Sequence, residues 1–578
     1  MAALKIENLI TDHLDLWSAA VRPKSSAGRG SNSKLELTGI KKLRELILEL
    51  AVRGKLVPQD PNDESASVLL ERIAVEKARL VKEKKIKKEK PLSAISEDEK
   101  PFELPKGWEW CRFEDIVDIQ SGITKGRKLT NRVLTTVPYL SVANVQRGYV
   151  DVTGIKSVEL PVDEVEKYQV LTGDLLITEG GDWDKVGRTA IWADEMPYVA
   201  HQNHVFKARK FLQEQDESWL EMFLNGPSAR DYFAGSSKQT TNLASINKTQ
   251  LRGCLIAIPP KNEKSCIVAK VDELMTLCDQ LELRSESQLA AHQTLVETLL
   301  ATLTDSSDAD ELAQNWARLS THFDTLFTTE ASIDALKQTI LQLAVMGKLV
   351  PQDPSDEPAS ALLERIAAEK VQLVKEKKIK KEKPLPAICE DEKPFELPQG
   401  WAYSYIASLC NCLDYLRIPI NKEERLRRCG DVPYYGANGQ VGFIDDYLFD
   451  EDLVLVVEDE TFIGRTKPFS YIVRGKSWVN NHAHVLRPLG GMSADYLNLC
   501  LQYYDFIPLT SGTTGRKKLT QAGLMGAKLW LAPLAEQQRI VVKVDELMTL
   551  CDQLKSLLLT SQQTQLALAE SLAEGALA

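Results

Sequence analysis

The sequence predicts a mixed α/β protein in which two globular domains are joined by two long antiparallel coiled-coil helices, with an internal pseudo-twofold repeat. Two repeats at different offsets, and short β-like runs between them, predict this class. Residues 54–108 match residues 347–401 without a gap, and 46 of the 55 aligned positions are identical. The segment VDELMTLCDQL occurs at 271–281 and again at 544–554, an offset of 273 instead of 293. Each half is therefore a repeated flank, a variable centre and a second repeated flank.

The second flank predicts the long helices. Apolar residues around both copies of VDELMTLCDQL recur alternately four and three positions apart, which is a heptad pattern. In the first copy the stripe comprises Ile267, Val271, Leu274, Cys278, Leu281, Leu295, Leu299 and Leu303. In the second copy it comprises Ile540, Val544, Leu547, Cys551, Leu554, Leu558, Leu568 and Leu572. Because each helix leaves a globular domain, we expect the two helices to pack on each other and to run antiparallel.

The first flank predicts an amphipathic helix that ends in a lysine-rich run. In LLERIAAEKVQLVKEKKIKKEKP the apolar residues Leu362, Ile366 and Leu373 share one face, and Pro384 ends the helix. The run KEKKIKKEK is present in both copies. A solvated helix end explains it, and contact with phosphate or with an acidic partner is the alternative.

Between the flanks, short apolar runs separated by glycine and proline predict strands. The first centre contains VPYLSV, DLLIT, TAIW, HVFKA and CLIAIPP, and the second contains VPYYGA, LVLVV, YIVR, HVLRP and KLWLAPL. The centres also share two short echoes: Gly-Arg-Thr at 187–189 and 464–466, and His204-Val205 against His484-Val485. We interpret the two centres as one fold with two different surfaces.

These patterns divide the chain into six segments. We expect an N-terminal helical segment with a flexible linker and the first flank at 1–100, a first globular domain at 101–260, a central long spacer helix at 261–304, a repeated helical flank at 305–393, a second globular domain at 394–533 and a C-terminal long spacer helix at 534–578. A chain that repeats its flanks and varies its centres is expected to meet one kind of partner twice and two different targets once each.

Composition excludes several classes of protein. No run of 18 or more apolar residues could span a bilayer, and the N-terminus lacks the basic region of a secretory signal, so we expect a cytoplasmic protein. The ten cysteines include no CxxC pair, which indicates reduced thiols and disfavours zinc. The formal net charge of −11 argues against a simple basic clamp on nucleic acid. Any DNA contact must therefore be local.

Catalytic motifs are absent from the sequence, so we predict no catalytic residue and no metal site. The pattern of a phosphate-binding loop fails because Ser470 stands where the leading glycine before Gly475-Lys476-Ser477 would be. There is no NPPY or DPPY segment and no glycine-rich turn suited to S-adenosylmethionine. The pairs His201/His204 and His482/His484 have metal-compatible spacing but no obvious further ligand.

Polar loops between the predicted strands are rich in side chains that read bases or hold phosphates. The candidate DNA-binding residues are Lys125, Arg127, Lys128, Arg132, Lys238, Gln239, Asn242, Arg417, Arg425, Arg427, Arg428, Asn438, Gln440, Arg516, Lys517 and Lys518. Solvated polar turns explain any single loop equally well, and their occurrence at equivalent places in both halves favours nucleic-acid contact. Tyr434 and Tyr435 either stack on bases or pack, and Arg188 and Arg465 either contact DNA or brace their domains.

The repeated segments resemble a known family. GKLVPQDP, LLERIAAEKVQLVKEKKIKKEKPLP, FELPQGW and PLAEQQRIVVKVDELMTLCDQL closely resemble the flanks of specificity subunits of type I restriction-modification enzymes, and the likeness covers nearly the whole chain. It implies two target-recognition domains, each reading one half of a gapped double-stranded DNA target, and two antiparallel helices that set the gap. The family's reading residues vary with the target, so none is transferred to this sequence.

The resemblance also implies partners and cofactors that this chain does not itself bind. Two modification subunits would dock on the repeated flanks and carry S-adenosylmethionine for adenine methylation. Two restriction subunits, which use ATP and Mg, would join them to cleave DNA. The alternatives are a coiled-coil adaptor or scaffold that does not touch DNA, and a self-contained methyltransferase or nuclease, for which the motifs above are missing.

Overall fold

The computed structural model describes residues 8, 11–23, 35–124, 126, 129, 132–181, 185–240, 243–380, 385–460, 462, 465, 468–513 and 516–577. The chain divides into two compact units, of which unit 1 comprises Met1–Arg22, Glu36–Glu286 and Gln562–Ala578, and unit 2 comprises Pro23–Leu35 and Ser287–Ser561. The predicted class is confirmed, since each unit holds a mixed domain of helix and strand together with parts of two long helices. Within the described residues, no helix combines the length and the apolar character needed to cross a membrane.

Helices make up the flanks and cover the sheets. They are α1 Leu14–Ala19, α2 Thr38–Val52, α3 Ala66–Lys82, α4 Phe113–Ile116, α5 Val165–Tyr168, α6 Glu217–Asn225, α7 Pro227–Ser236, α8 Lys248–Gly253, α9 Lys261–Asp305, α10 Ala309–Thr321, α11 Phe323–Leu326, α12 Glu330–Val345, α13 Ala359–Lys375, α14 Ile406–Leu409, α15 Lys422–Arg427, α16 Ala494–Tyr503, α17 Gln521–Met525 and α18 Leu534–Leu577. The long helix α9 begins in unit 1 and ends in unit 2, whereas α18 begins in unit 2 and ends in unit 1.

The strands are short and lie almost entirely in the two domains. They are β1 Arg22–Pro23, β2 Leu35–Glu36, β3 Glu109–Arg112, β4 Val117–Gln120, β5 Leu134–Leu140, β6 Lys156–Pro161, β7 Leu175–Thr178, β8 Gly180–Gly181, β9 Thr189–Ile191, β10 Ala200–His201, β11 Val205–Lys210, β12 Lys238–Thr240, β13 Leu243–Ser245, β14 Leu255–Ile258, β15 Ala402–Tyr405, β16 Cys410–Cys412, β17 Val432–Gly436, β18 Gly439–Ile444, β19 Phe449–Asp450, β20 Leu453–Val457, β21 Asp459–Glu460, β22 Ser470–Val473, β23 Lys476–Val479, β24 Ala483–Pro488, β25 Thr510–Thr513, β26 Arg516–Leu519 and β27 Lys528–Leu531.

Three sheets have the same topology in both domains, and a fourth differs. An antiparallel four-stranded sheet is ordered β4-β11-β7-β9 in unit 1 and β16-β24-β20-β22 in unit 2. The β3/β14 pair matches β15/β27, and β12-β13-β8 matches β25-β26-β21. The fourth sheet has three strands, β10-β5-β6, in unit 1 and four strands, β18-β17-β23-β19, in unit 2. Strands β10-β5-β6 match β23-β17-β18, and β19 is added in unit 2. The domains therefore share a scaffold and differ in this fourth sheet, which we call the variable sheet.

The central strands of the shared sheet form because they are continuous apolar runs. All five residues of β20 are buried, and so are all four of β7. A strand buried on both faces needs apolar side chains in both directions instead of alternation. In unit 2, Val454 and Val456 belong to the same apolar core as Leu497 and Leu501 of α16. This rigid centre holds the more polar outer strands and loops.

The glycine of each GKLVPQDP copy makes a turn that other residues cannot make. Gly54 has φ of +65°, and a Cβ there would lie 2.6 Å from Pro105 Cγ and 2.9 Å from Trp108 Cζ2. Gly347 has φ of +69°, and a Cβ would lie 2.5 Å from Pro398 Cγ and 2.9 Å from Trp401 Cζ2. A side chain would thus meet both backbone strain and a tryptophan ring.

The lysine that follows each glycine caps a long helix. Lys55 Nζ donates to the carbonyl oxygen of Leu577 at the end of α18, at 2.6 Å. Lys348 Nζ donates to the carbonyl oxygens of Thr304 at 2.7 Å and Ser306 at 2.9 Å, at the end of α9. A cation is favourable at the negative end of a helix dipole and satisfies carbonyls that have no partner within the helix. Each flank copy therefore holds the C-terminal end of one long helix.

The tryptophan against each glycine holds the start of a long helix. Trp108 Nε1 donates to Glu263 Oε2 at 3.0 Å, and Trp401 Nε1 donates to Glu536 Oε2 at 2.9 Å. Both glutamates lie in the first helical turn, where a carboxylate favours the helix dipole. Burial raises the pKa of both carboxyl groups above the ordinary 4.5, although the tryptophan hydrogen bonds act in the opposite direction.

A third repeated contact joins each flank helix to the VDELMTLCDQL segment. Arg44 of α2 forms an ion pair with Asp279 of α9 at 2.7 Å. Lys337 of α12 forms the matching ion pair with Asp552 of α18. The aspartates occupy the same position in the two copies of the segment, and the cations are 293 residues apart. The duplicated sequences thus make duplicated contacts within each unit.

The heptad interpretation is wrong at Leu295 and Leu568 in the second part of the long helices, although Leu303 is buried as expected. Ile267, Val271, Leu274 and Cys278 are buried as expected. Leu295 and Leu568, however, are 50% and 54% exposed. Next to them, Val296 and Leu300 in α9 and Leu566 and Ala569 in α18 are buried. A helix of 3.6 residues per turn drifts by about 20° per heptad from a 3.5-residue repeat, so after about four heptads the buried stripe moves by one residue.

We expect Gly54→Ala to lower the free energy of unfolding by about 2–4 kcal/mol, since it adds overpacking against Trp108 to the cost of a positive φ. Gly154→Ala is the matched control because Gly154 has the same φ of +65°, and a Cβ there would have nothing within 4 Å. It should cost only about 1 kcal/mol. Guanidinium unfolding of the full chain measures both, and equal losses would contradict the steric role of the tryptophan.

Candidate nucleic-acid interface

Three of the seven candidate residues of unit 1, Arg132, Lys238 and Gln239, lie within the described residues. Lys125, Arg127, Lys128 and Asn242 lie outside the described residues, so their interpretation as DNA-binding residues stays a prediction. Arg132 forms ion pairs with Glu164, at 2.7 Å, and with Asp163.

The other two candidates of unit 1 lie on the edge hairpin. Lys238 and Gln239 lie on β12, paired with Ser245 and Ala244 of β13. The hairpin strands extend the shared scaffold at its edge.

In unit 2, helix α15 brings three candidate arginines beside the variable sheet. The guanidinium of Arg425 lies 4.7 Å from the centroid of the Tyr434 ring, and that of Arg428 lies 4.7 Å from the centroid of the Trp478 ring. Arg428 also donates to Asp445 Oδ1 at 2.8 Å. Arg427 is exposed at the end of the helix. Helix α15 and the residue after it therefore place three arginines beside the variable sheet. Arg425 and Arg428 hold the helix against this sheet through their ring contacts.

The tyrosines beside these arginines pack. Tyr434 is 1% exposed, and its hydroxyl donates to the carbonyl oxygen of Ile420 at 3.2 Å. Tyr435 is half-buried, with its ring centroid 6.1 Å from that of Tyr471. Of the two interpretations that the sequence left open, packing describes Tyr434.

The turn between β17 and β18 and the start of β18 present two amide side chains. Asn438 and Gln440 are both exposed. Arg465 Nη1 donates to Asn438 Oδ1 at 2.8 Å and Arg465 Nη2 donates to the carbonyl oxygen of Pro468 at 3.0 Å. Arg465 therefore braces the turn, and Arg188 makes a comparable contact in unit 1, donating to Gln146 Oε1 at 2.7 Å.

The hairpin β25/β26 carries the remaining candidates. Arg516 pairs in register with Thr513 of β25, and Lys517 pairs with Gly512. Strand β26 also pairs with β21, so that Lys518 faces Asp459 across the ladder. Lys518 Nζ lies 2.9 Å from Glu458 Oε1 while its side chain stays 55% exposed. The hairpin is thus tied to the scaffold through an ion pair.

Arg417 belongs to a buried cluster of charged side chains instead of an exposed loop. Its guanidinium donates to Glu458 Oε2 at 2.5 Å and to the carbonyl oxygen of Ala483 at 2.7 Å, and its side chain is only 13% exposed. His484 Nδ1 lies 2.6 Å from Asp414 Oδ2, and His484 Nε2 lies 2.8 Å from the carbonyl oxygen of Leu519. Both ring nitrogens of His484 therefore face oxygen atoms.

The electrostatics of this cluster favour its ion pairs. Burial raises the pKa of Asp414, but the hydrogen bond and charge of His484, together with the Val485 backbone hydrogen bond and the charge of Arg417, hold the pKa below the ordinary 3.8. Burial acts likewise on Glu458, whose pKa is held below 4.5 by Lys518 and Arg417. The cluster connects β20, β24 and β26, so it fixes the hairpin that carries Lys517 and Lys518.

Three atoms of this cluster lie close enough together to ligate a metal ion. Single ligand atoms of Asp414, Glu458 and His484 lie within 4.8 Å of one another. Arg417 and Lys518, however, already place two cations against Glu458. The ligand atoms of this cluster are therefore already paired with cationic side chains of the protein itself.

Strand register corrects the alignment of the histidines in the two domains. Val117 of β4 pairs with Lys210, and Cys410 of β16, 293 residues later, pairs with Pro488. His204 therefore matches His482, and Phe206 matches His484, so the alignment of His204-Val205 with His484-Val485 is wrong by two residues. His204 Nδ1 and His482 Nδ1 each lie 2.6 Å from a carboxylate, Glu179 and Asp459 respectively.

The remaining histidine of the suggested metal pairs lies in the core. His201 is fully buried, and its Nδ1 lies 2.7 Å from the carbonyl oxygen of Val205. Burial lowers its pKa to about 3. In unit 1, Phe206 occupies the position that matches His484. The described residues of unit 1 therefore include no buried histidine–aspartate pair at this position.

Comparison with known proteins decides the family. A family model described as the type I restriction modification DNA specificity domain matches residues 105–291 and 398–560. The type I restriction enzyme EcoAI specificity subunit and the EcoEI specificity subunit, both from Escherichia coli, are each 42% identical over 99% of this chain and 100% of their own length. The chain belongs to the type I restriction-modification specificity subunits. Each family match spans one domain and the first part of the long helix that follows it.

A solved structure resembles the chain more distantly. The HsdS subunit from Thermoanaerobacter tengcongensis is 14% identical, with a TM-score of 0.40, over 82% of this chain and 98% of its own. The assignment rests on the sequence relatives. Membership confirms the expected recognition role in a restriction-modification system and the absence of a catalytic role, and it implies DNA, methyltransferase and restriction partners.

We expect Arg417→Met to lower the free energy of unfolding of unit 2 by about 3 kcal/mol, because the buried carboxylate of Glu458 loses a cation. Because the folded-state pKa values of Asp414 and Glu458 are lowered, this loss should be full above about pH 4.5 and shrink as the pH falls through those values. Exposed Arg427→Met is the control and should change stability by less than about 0.5 kcal/mol. Guanidinium unfolding at several pH values measures both; equal stability of the two variants would refute the role of the cluster.

Proposed function

We propose that the domains of unit 1 and unit 2 each read one half of a bipartite, gapped double-stranded DNA target. The observation that carries the proposal is the pair of domains with three matching sheets and one that differs. Loops positioned by a rigid scaffold are where proteins place their binding residues. Two domains that share a scaffold but differ in the variable sheet are suited to recognise two different half-targets.

The exposed side chains of unit 2 have suitable chemistry. Arginine matches O6 and N7 of guanine, and asparagine or glutamine matches N6 and N7 of adenine. Arg427, Asn438 and Gln440 are exposed around the variable sheet. Lys517 and Lys518 on the β25/β26 hairpin suit phosphate contact, which positions a protein on DNA without reading sequence.

The partner assembly forms the second part of the proposal. Two modification subunits would dock on the duplicated flanks and bring S-adenosylmethionine for adenine methylation. Two restriction subunits would add ATP- and Mg-dependent cleavage, in the cytoplasm. The long helices α9 and α18, each shared by both units, would set the length of the gap.

The direct test is sequencing that detects methyladenine in DNA from cells that express the chain with its cognate modification subunit. We expect a gapped two-part motif that is absent without this chain. Exchange of residues 402–533 for those of another specificity subunit should change one half of the motif and leave the other half intact. Methylation of the same sites without the chain, or no gapped motif from a verified complex, would favour an adaptor that does not touch DNA.

We expect Asn438→Ala and Gln440→Ala to relax the half-target of unit 2 by about 1–3 kcal/mol per lost base contact, and to leave the other half unchanged. Lys517→Ala should instead weaken binding to all sequences and reduce its salt dependence. Binding titrations on half-site variants at two salt concentrations separate the two effects. A uniform loss from Asn438→Ala would show that this residue does not read bases.

A further inference from the structure

A groove runs along the surface of unit 1 between the two ends of the first flank copy. Its volume is about 670 Å³, and ten residues from the segments 53–59 and 102–105 line it. Val57, Pro58, Phe102 and Leu104 give it an apolar floor. An apolar groove with a few polar groups is the usual form of a recognition site.

The groove residues are repeated almost without change in the second flank copy. Arg53 corresponds to Met346, and the other nine lining residues correspond to identical residues between Gly347 and Pro398. The same composition is therefore available once in each unit.

Within residues 54–108, the positions that differ between the copies avoid this surface. The nine differing positions are Asn62, Ser65, Val68, Val75, Ala78, Arg79, Ser93, Ser96 and Lys106, with their counterparts 293 residues later. None lies within 54–61 or 97–105. Four of the nine lie on one outward face of α3, where Val75 is 71% exposed. Divergence has thus altered the outward face of α3 and, apart from Arg53, has left the groove residues unchanged.

Packing explains only some of the identical groove residues. Gly54 and Lys55 have the structural roles given above. Pro58 and Glu103 are exposed, and so are their counterparts Pro351 and Glu396. An exposed side chain adds little to stability, so these side chains are available for contact with a partner in both copies.

The charge at the rim indicates what fits the groove. Glu103 lines it, and the exposed Asp60 follows the lining residue Gln59. Two cations, Arg53 and Lys55, line it as well, but Arg53 is paired with Glu49 and Lys55 donates to the carbonyl oxygen of Leu577. The second copy has Glu396 and Asp353, both exposed, at the same places. An apolar floor with an acidic rim complements apolar side chains flanked by lysine or arginine.

We infer that each copy of this groove docks one segment of a partner protein, with apolar side chains on the floor and basic side chains at the acidic rim. Because nine of the ten lining residues recur in unit 2, we expect the partner to bind twice. Resting on the proposed function, this partner is the modification subunit. The inference assigns docking to the groove and excludes the outward face of α3, where the copies differ.

The test uses the full chain and its cognate modification subunit. Glu103→Lys reverses the rim charge in one copy, Glu396→Lys does so in the other, and Pro58→Glu alters the floor at an exposed position. Each single variant should bind one of the two modification subunits about tenfold more weakly, and Glu103→Lys with Glu396→Lys should weaken both. Mass photometry counts the bound subunits, and calorimetry measures their affinities.

Matched controls lie on the flank helices. Glu71 of α3 and Glu364 of α13 are exposed and identical in the two copies, so Glu71→Lys and Glu364→Lys reverse the same charge away from the groove. They should leave both affinities within about twofold. Circular dichroism of every variant checks that the fold is retained.

Three results would overturn the inference. The groove variants could keep both affinities within about twofold, or the control variants could lose as much affinity as the groove variants. The third result is that charge reversal of Lys87 and Lys380, in the lysine runs, weakens binding while the groove variants do not. The wild-type chain distinguishes failure of the proposed function from failure of the groove as a docking site.

If the wild-type chain gives no gapped methylation motif with the modification subunit, the proposed function fails and the docking role of the groove fails with it. If the motif forms and the groove variants keep both partners, only the groove fails.

Discussion

The hydrogen bond between a buried tryptophan and the first-turn glutamate of a long helix is the contact on which each unit depends. Trp108 packs over Gly54 and donates to Glu263, so one ring joins the flank, the domain and the start of α9. Trp401, Gly347 and Glu536 repeat the arrangement in unit 2. Since a buried carboxylate without a donor is costly, the helix start has little freedom to move away from its domain.

The same flank also holds the opposite end of the other long helix. Lys55 caps the end of α18 in unit 1, and Lys348 caps the end of α9 in unit 2. Both ends of both helices are therefore held by copies of one repeated flank, which begins with GKLVPQDP and ends at the tryptophan. Because the duplicated flanks hold the long helices, the variable sheet of each domain can change without altering these contacts. Recognition by the two domains can therefore diverge.

Unit 2 shows how such divergence changes the interior as well as the surface. Its domain has His484 where unit 1 has Phe206, and a buried network of Asp414, Glu458 and Arg417 surrounds it. The network ties the lysine-bearing hairpin to the central sheet. Residues chosen from loop composition, such as Arg417, can thus serve the scaffold, whereas Asn438 and Gln440 remain exposed.

The sequence by itself determined the duplicated flanks, the mixed class, the two long helices and the family, because repeats and apolar periodicity are local properties of the chain. Only the tertiary structure decided that Val296 and Ala569 replace Leu295 and Leu568 in the buried stripe, since helical drift accumulates with length. It alone also decided the match of His482 with His204 and the burial of Arg417, because both follow from strand register and from side chains that are distant along the chain. Contacts of that kind leave no periodic trace in a sequence.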